Sequence, residues 1–195
     1  ELTVSPRLFF YFNDSTALKI GHIFTAGQRN GGDIFVVGNG ISNGHTYFEN
    51  NSTSRNNTTV EFETKLNANN KLVAKQSLNF FKRTIQIPGY TFSGVQANAY
   101  TDISNITQLK NNTIISGINF IYDDFKENVL PGAFARNERN ITTGLYLQHT
   151  WNVANKLSFE NGLRADITNR YGAILLPRIS ALYKINDSWS SRVSA

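Results

Sequence analysis

Alternating connections constrain this chain more than any single residue does. About ten strand-like segments, each near a dozen residues, are separated by joins that switch between very short and long. The short joins are Asn13-Asp14-Ser15, Asn67 to Asn70, Gln108 to Asn111, Val153-Ala154-Asn155 and Asn186-Asp187. Their small polar residues bond their own backbone and accept tight hairpin geometry. Between them lie Gln28 to Arg55, Pro88 to Phe92, Glu127 to Glu138 and the briefer Asn169 to Tyr171. If strands run up and down, the short joins gather at one end of a sheet and the long ones at the other. A soluble sandwich has no reason to sort its loops this way, whereas a transmembrane β-barrel does.

Face parity points the same way. Leu157, Phe159, Leu163, Ala165 and Ile167 fall on one side of a strand and Ser158, Glu160, Gly162, Arg164 and Asp166 on the other, with Asn161 the one polar misfit. Val60, Phe62, Thr64 and Leu66 oppose Thr59, Glu61, Glu63 and Lys65, and Ile114, Ile118, Phe120 and Tyr122 oppose Ile115, Gly117, Asn119 and Asp123. Leu2, Val4, Pro6, Leu8, Phe10 and Phe12 share a parity that sends Arg7 to the opposite side. An Arg facing lipid at mid-depth costs about 2–4 kcal/mol, so lipid enforces such a split strongly. Gly94 to Ile106 carries no clear parity and receives no face assignment.

Strand length separates lipid from water. Globular strands run about 5–6 residues, and crossing a bilayer at a tilt takes about 9–11. Trp151 and Trp189 flank short joins while Phe24, Phe80, Phe81 and Tyr122 lie toward the long ones, the placement expected of aromatic girdles at headgroup level. The fold class read here is therefore all-β: antiparallel up-and-down transmembrane barrel strands, about ten, with short periplasmic turns and long external loops.

The 195 residues form one unit, 1–195, with no shift of composition to divide them. No apolar run approaches the roughly 18 residues of a membrane helix, and no leader precedes Glu1-Leu2-Thr3-Val4, which already reads as strand. Both ends read as cut within strands. A mean hydropathy of -0.31 is compatible with a barrel, whose alternating strands average out. Without Cys there is no disulfide scaffold, thiol nucleophile or thiolate metal site. The net charge of +5 is spread singly along strands apart from Lys82-Arg83 and Arg136 with Arg139, which argues against nucleic acid.

No catalytic constellation emerges, and the reading assigns no enzyme activity, metal or cofactor. His22, His45 and His149 lack the spacing of a zinc site. Gly38, Gly40 and Gly44 precede no amphipathic helix that could hold a phosphate. Asp123-Asp124 reads as a solvated strand end, and the Asn-x-Ser/Thr sequons lack a secretory setting. Binding is expected on the external loops, where recognition residues ride on a rigid scaffold. Arg29, Asp33, His45 and Tyr47 in the first long loop, and Arg83, Tyr90 and Phe92 around the Pro88-Gly89 turn, could grip an anionic or chelated small ligand.

Specific motifs appear in the C-terminal third. LPRISALYKINDSWSSRVSA, Leu176 to Ala195, and GLYLQHTWNVANKLSFENGLRAD, Gly144 to Asp166, resemble the strand-turn-strand units of TonB-dependent outer-membrane receptors; LTVSPRLFFYFND and QRNGGDIFVV fit the same pattern. The resemblance implies a Gram-negative outer-membrane location and about half the strands of a roughly 22-stranded plugged barrel. It also implies import of a scarce nutrient such as a ferric siderophore, haem or cobalamin, energised by an inner-membrane TonB complex. The plug, the remaining strands and the TonB-contacting box are expected outside these residues. On this resemblance Glu160, Arg164, Asp166, Arg178 and Arg192 face the lumen and contact the plug, and the outer surface meets outer-membrane lipid.

Two other readings stay open from the residues alone. One is a complete small barrel, structural or a narrow pore, closed by pairing the strand at Leu2 with that at Trp189. The other is a soluble carbohydrate-binding or adhesin β-domain whose apolar face is sealed by a second sheet. An open sheet with an apolar face predicts aggregation without detergent.

Overall fold

The computed structural model describes residues 1–41, 44–129 and 134–195. Eleven strands form one antiparallel sheet: β1 (Leu2–Val4), β2 (Arg7–Asn13), β3 (Thr16–Gly32), β4 (Phe48–Lys65), β5 (Asn70–Ile87), β6 (Tyr90–Leu109), β7 (Asn112–Glu127), β8 (Glu138–Ala154), β9 (Leu157–Thr168), β10 (Gly172–Lys184) and β11 (Ser190–Ser194). Each pairs with its neighbour in sequence, except that β1 and β2 both pair with β3. Those two are one strand in a single register, since Leu2 faces Ala26 and Arg7 faces Gly21. The interruption falls at Pro6, which has no N–H to donate, although its carbonyl still accepts from the His22 N–H at 3.0 Å. Ten hairpin legs result, as the alternation predicts.

The legs are longer than expected. β3 reaches Gly32 and β4 begins at Phe48, so most of the stretch read as the loop Gln28 to Arg55 is paired strand, and the true loop is 33–47. Likewise Arg83 lies on β5 and Tyr90 and Phe92 on β6, leaving Pro88 and Gly89 alone at that turn. At about 3.4 Å per residue the 18 residues of β4 span roughly 60 Å, more than an apolar band about 25 Å tall can cover. The hairpins therefore extend well beyond such a band at the long-loop end. The chain also forms one short helix, α1 (Ile34–Asn39), inside that first loop.

Register aligns the two faces across the whole sheet. Leu18, Phe62, Ala74, Ile103, Ile118, Leu145, Ala165 and Leu175 are successive cross-strand partners on one face. The next row, Lys19, Glu61, Lys75, Asp102, Asn119, Gly144 and Asp166, lies on the other. Burial is inverted relative to a water-soluble domain. Leu145 is 61% and Leu175 64% exposed, while buried side chains include Asp102, Ser104, Asn119 and Ser180. No second sheet covers the apolar face among the described residues, and β1 does not pair with β11, so neither the sealed sandwich nor the closed small barrel describes this sheet.

Aromatic residues mark an oblique band on the apolar face. At the short-turn end, Phe10 pairs with Leu18 and Leu18 with Phe62. The row of Phe62 runs on to Leu145, six residues short of Trp151, which pairs with Phe159. The lower edge thus slants across the strands, as barrel tilt requires. Phe24, Phe80 and Tyr122 mark the upper edge. Phe81 does not join them; it faces the polar side beneath Arg55.

Candidate functional site

The polar face carries the chemistry in two patches. At mid-depth, Asp102 accepts hydrogen bonds from the Tyr146 hydroxyl at 2.8 Å and the Tyr100 hydroxyl at 3.4 Å. Arg164 donates through Nε to both oxygens of Asp166, at 2.8 and 3.0 Å, and through Nη2 to Asn119 at 3.2 Å. Asn119 is only 2% exposed, so this bond satisfies an amide that would otherwise be costly to bury. Two glycines make the packing possible. Tyr146 lies over Gly117, where a Cβ would stand 2.5 Å from its ring, and Asp166 and Asn119 close over Gly144. Beside them, Arg178 pairs with Glu160 at 3.3 Å. A groove of about 480 Å³ runs along this patch, bordered by Lys75 and Arg178.

Nearer the long-loop end, three arginines from adjacent strands converge. Arg29 on β3, Arg55 on β4 and Arg83 on β5 line a groove of about 460 Å³ with Glu1, Asn51 and Phe81. Arg55 stacks 4.9 Å above the Phe81 ring, which sits directly opposite it. Arg83 donates to Asn51 at 3.2 Å, and Arg29 lies 3.8 Å from Glu1. One carboxylate thus answers three guanidinium groups, leaving the groove cationic.

The rim above is held by two local clusters. Asp33 caps α1 by accepting from the Phe35 N–H at 2.9 Å, and its other oxygen meets His45 Nδ1 at 2.5 Å. The His45 ring lies 4.6 Å from Phe35. The imidazole bond, reinforced by the backbone donor, holds the Asp33 carboxyl below its ordinary range. At Gly32 φ is +120°, and a Cβ would strike the Tyr47 carbonyl at 2.7 Å, so only glycine suits this entry to the loop. Across the rim, Arg136 binds the Glu127 carboxylate, reaches the Tyr90 hydroxyl at 3.4 Å and lies 5.6 Å from the Phe92 ring. That guanidinium, together with the Arg136 N–H, draws the Glu127 carboxyl down to about 2.

The seven residues read as loop ligands thus divide among three places. Arg29 and Arg83 share the groove, Asp33 and His45 pin the first loop, and Tyr90 and Phe92 gather around Arg136. Tyr47 joins through its carbonyl, which accepts the Asp33 N–H at 3.0 Å, while its side chain stays exposed. The sequence names Arg55 and Glu127 only as loop bounds and Phe81 only among the girdle aromatics; cross-strand register sets Phe81 against Arg55, and the Arg136 ion pair brings in Glu127. Glu160, Arg164, Asp166, Arg178 and Arg192 all lie on the polar face, but Arg192, opposite Leu182, stands apart from the other four.

A long antiparallel meander with an apolar exposed face, a polar grooved face and hairpins rising beyond one rim defines a section of outer-membrane barrel wall. Residues 4–195 match the family described as TonB dependent receptor-like, beta-barrel, and the chain belongs to that family. Solved receptors share its fold. The alcaligin outer-membrane receptor FauA of Bordetella pertussis superposes with a TM-score of 0.78 at 14% identity, over 98% of this chain and 34% of its own. The ferric-catecholate import receptor Fiu of E. coli K12 gives 0.72 at 11%, over 98% and 46%. The ferric enterobactin receptor PfeA of Pseudomonas aeruginosa gives 0.68 at 12%, over 95% and 31%. This chain therefore spans between about a third and a half of the length of these receptors. No curated protein matches it in sequence. The exposed apolar face and the grooved polar face are the two sides of a barrel wall of this family.

Proposed function

We propose that this section belongs to a TonB-energised import receptor whose outer vestibule captures an anionic metal chelate of the ferric-siderophore type. The convergence of Arg29, Arg55 and Arg83 on the lumen wall carries this reading. Guanidinium groups bind carboxylate, catecholate and hydroxamate oxygens through charge-assisted bonds, and a partly enclosed groove shields such bonds from water. Structural neighbours include an alcaligin receptor, a ferric enterobactin receptor in complex with enterobactin and a receptor bound to pyoverdines, which is consistent with such a cargo. Deeper in the lumen, Glu160, Arg164, Asp166 and Arg178 would meet the plug through polar bonds.

The test uses the full-length receptor with Arg29, Arg55 and Arg83 each changed to Gln. Binding of an anionic ferric chelate should weaken roughly tenfold or more per arginine, while a neutral chelate is little affected. Undiminished binding of the anionic chelate in the triple variant would refute the assignment.

A further inference from the structure

The lipid face changes character abruptly at its external edge. On β5 the outward series Leu78, Phe80 ends at Lys82; on β7 Phe120, Tyr122 ends at Asp124 and Lys126; on β8 Leu145, Thr143, Ile141 ends at Arg139. Register gathers these charges. Lys82 pairs with Val95 and Val95 with Lys126, so the two lysines stand two strand spacings, about 10 Å, apart. Arg139 pairs with Asp124, donating to it at 3.1 Å, and Lys126 approaches the same carboxylate at 3.5 Å. Two cations share one anion, and Lys82, which is exposed, has no ion-pair partner among the described residues. The patch keeps a surplus of positive charge on the side facing the membrane rather than the lumen.

Directly below it, β6 presents only small side chains outward. Ala97 separates Phe80 from Asp124, and Ala99 separates Leu78 from Tyr122. Walls of Leu78 and Phe80 on one side and Tyr122 on the other thus flank a shallow channel floored by alanine, leading from the cations into the apolar band. A phosphate source free in solution would use the cations alone; the adjoining channel suits an acyl chain attached to the same molecule.

We propose that Lys82, Lys126 and Arg139 bind the phosphates of a phosphorylated glycolipid of the outer leaflet, with one acyl chain lying over Ala97 and Ala99. Outward charges at this height escape the hydrocarbon penalty and meet anionic headgroups, the electrostatics that draw basic clusters to lipid surfaces. The site is separate from the arginine groove, which opens on the opposite face of the sheet along β3, β4 and β5.

Native mass spectrometry of the detergent-purified full-length receptor, titrated with diphosphorylated lipid A, tests the proposal. One saturable lipid is expected. Lys82→Gln should weaken it about fivefold and the triple change with Lys126→Gln and Arg139→Gln about a hundredfold. Ala97→Trp, which fills the channel, should weaken lipid A binding also, while millimolar pyrophosphate should compete poorly. Equal binding to the triple variant, equal binding of a dephosphorylated lipid, or full displacement by pyrophosphate would each overturn the assignment. Should the triple variant fail to show the heat-modifiable migration of a folded barrel, Lys82→Gln, which breaks no described ion pair, decides the matter alone. Binding of the metal chelate should be unchanged throughout, so this test and that of the arginine groove fail independently.

Discussion

The Arg55 guanidinium sits 4.9 Å from the centre of the Phe81 ring, its direct partner on the neighbouring strand. The ring buttresses a long cation that would otherwise sample many rotamers, and it does so on the lumen side. Phe81→Leu should therefore weaken capture of an anionic chelate about threefold to tenfold without removing any charge, a loss read by equilibrium binding to the full-length receptor. Parent affinity in that variant would mean the stacking is incidental.

Face parity gives the sharpest stability test. Leu145→Arg places a cation on the lipid face and should cost about 2–4 kcal/mol. Gln148→Arg, three residues along and facing the lumen, should cost less than about 1 kcal/mol. Urea unfolding in lipid vesicles compares the two, and equal costs would contradict the assigned faces.

Gly117 is required by the ring above it. A Cβ there would stand 2.5 Å from Tyr146 and 2.8 Å from the Ile103 carbonyl, and backbone cannot yield as a side chain can. Gly117→Ala should destabilise by about 1–3 kcal/mol, seen as a lower temperature for loss of the heat-modifiable band. Gly162→Ala, whose nearest contact would be 3.6 Å, should be tolerated.

The rim pair of Glu127 and Arg136 sets a pH window. The carboxyl is depressed from an ordinary 4.5 to about 2, so the contribution of the pair to rim order is complete above about 4.5 and is lost as pH falls through about 2. Isotope-edited infrared titration of Glu127 should find its midpoint near 2, moving toward 4.5 in Arg136→Gln. A midpoint above 4 in the parent would remove the pair from the account.

Most of the architecture is legible because lipid leaves a period-2 record: each outward residue from Leu157 to Ile167 is apolar except Asn161, and register follows from parity. The same rule explains what is not legible. Beyond the aromatic edge at Phe24 and Phe80 both faces are polar, so Asn50 to Arg55 carries no apolar alternation and reads as a loop, although every residue is laddered to β3 and β5. Gly94 to Ile106 conceals its faces because Ala97, Ala99 and Thr101 point outward while Tyr100 and Ile106 point inward. The arginine groove is invisible in the sequence for another reason. Its members lie 26 and 28 positions apart, and only the registers of two hairpins bring them together.

The interruption at Pro6 divides one of ten legs into two of the eleven strands, and that number of legs carries arithmetic with it. The first leg descends to a short turn and the last ascends from one, so the two free margins of the sheet point in opposite directions. Any set of strands that closes this wall into an all-antiparallel ring must then be even in number. An odd complement would force one parallel joint, with its slanted and slightly weaker ladder, into the ring.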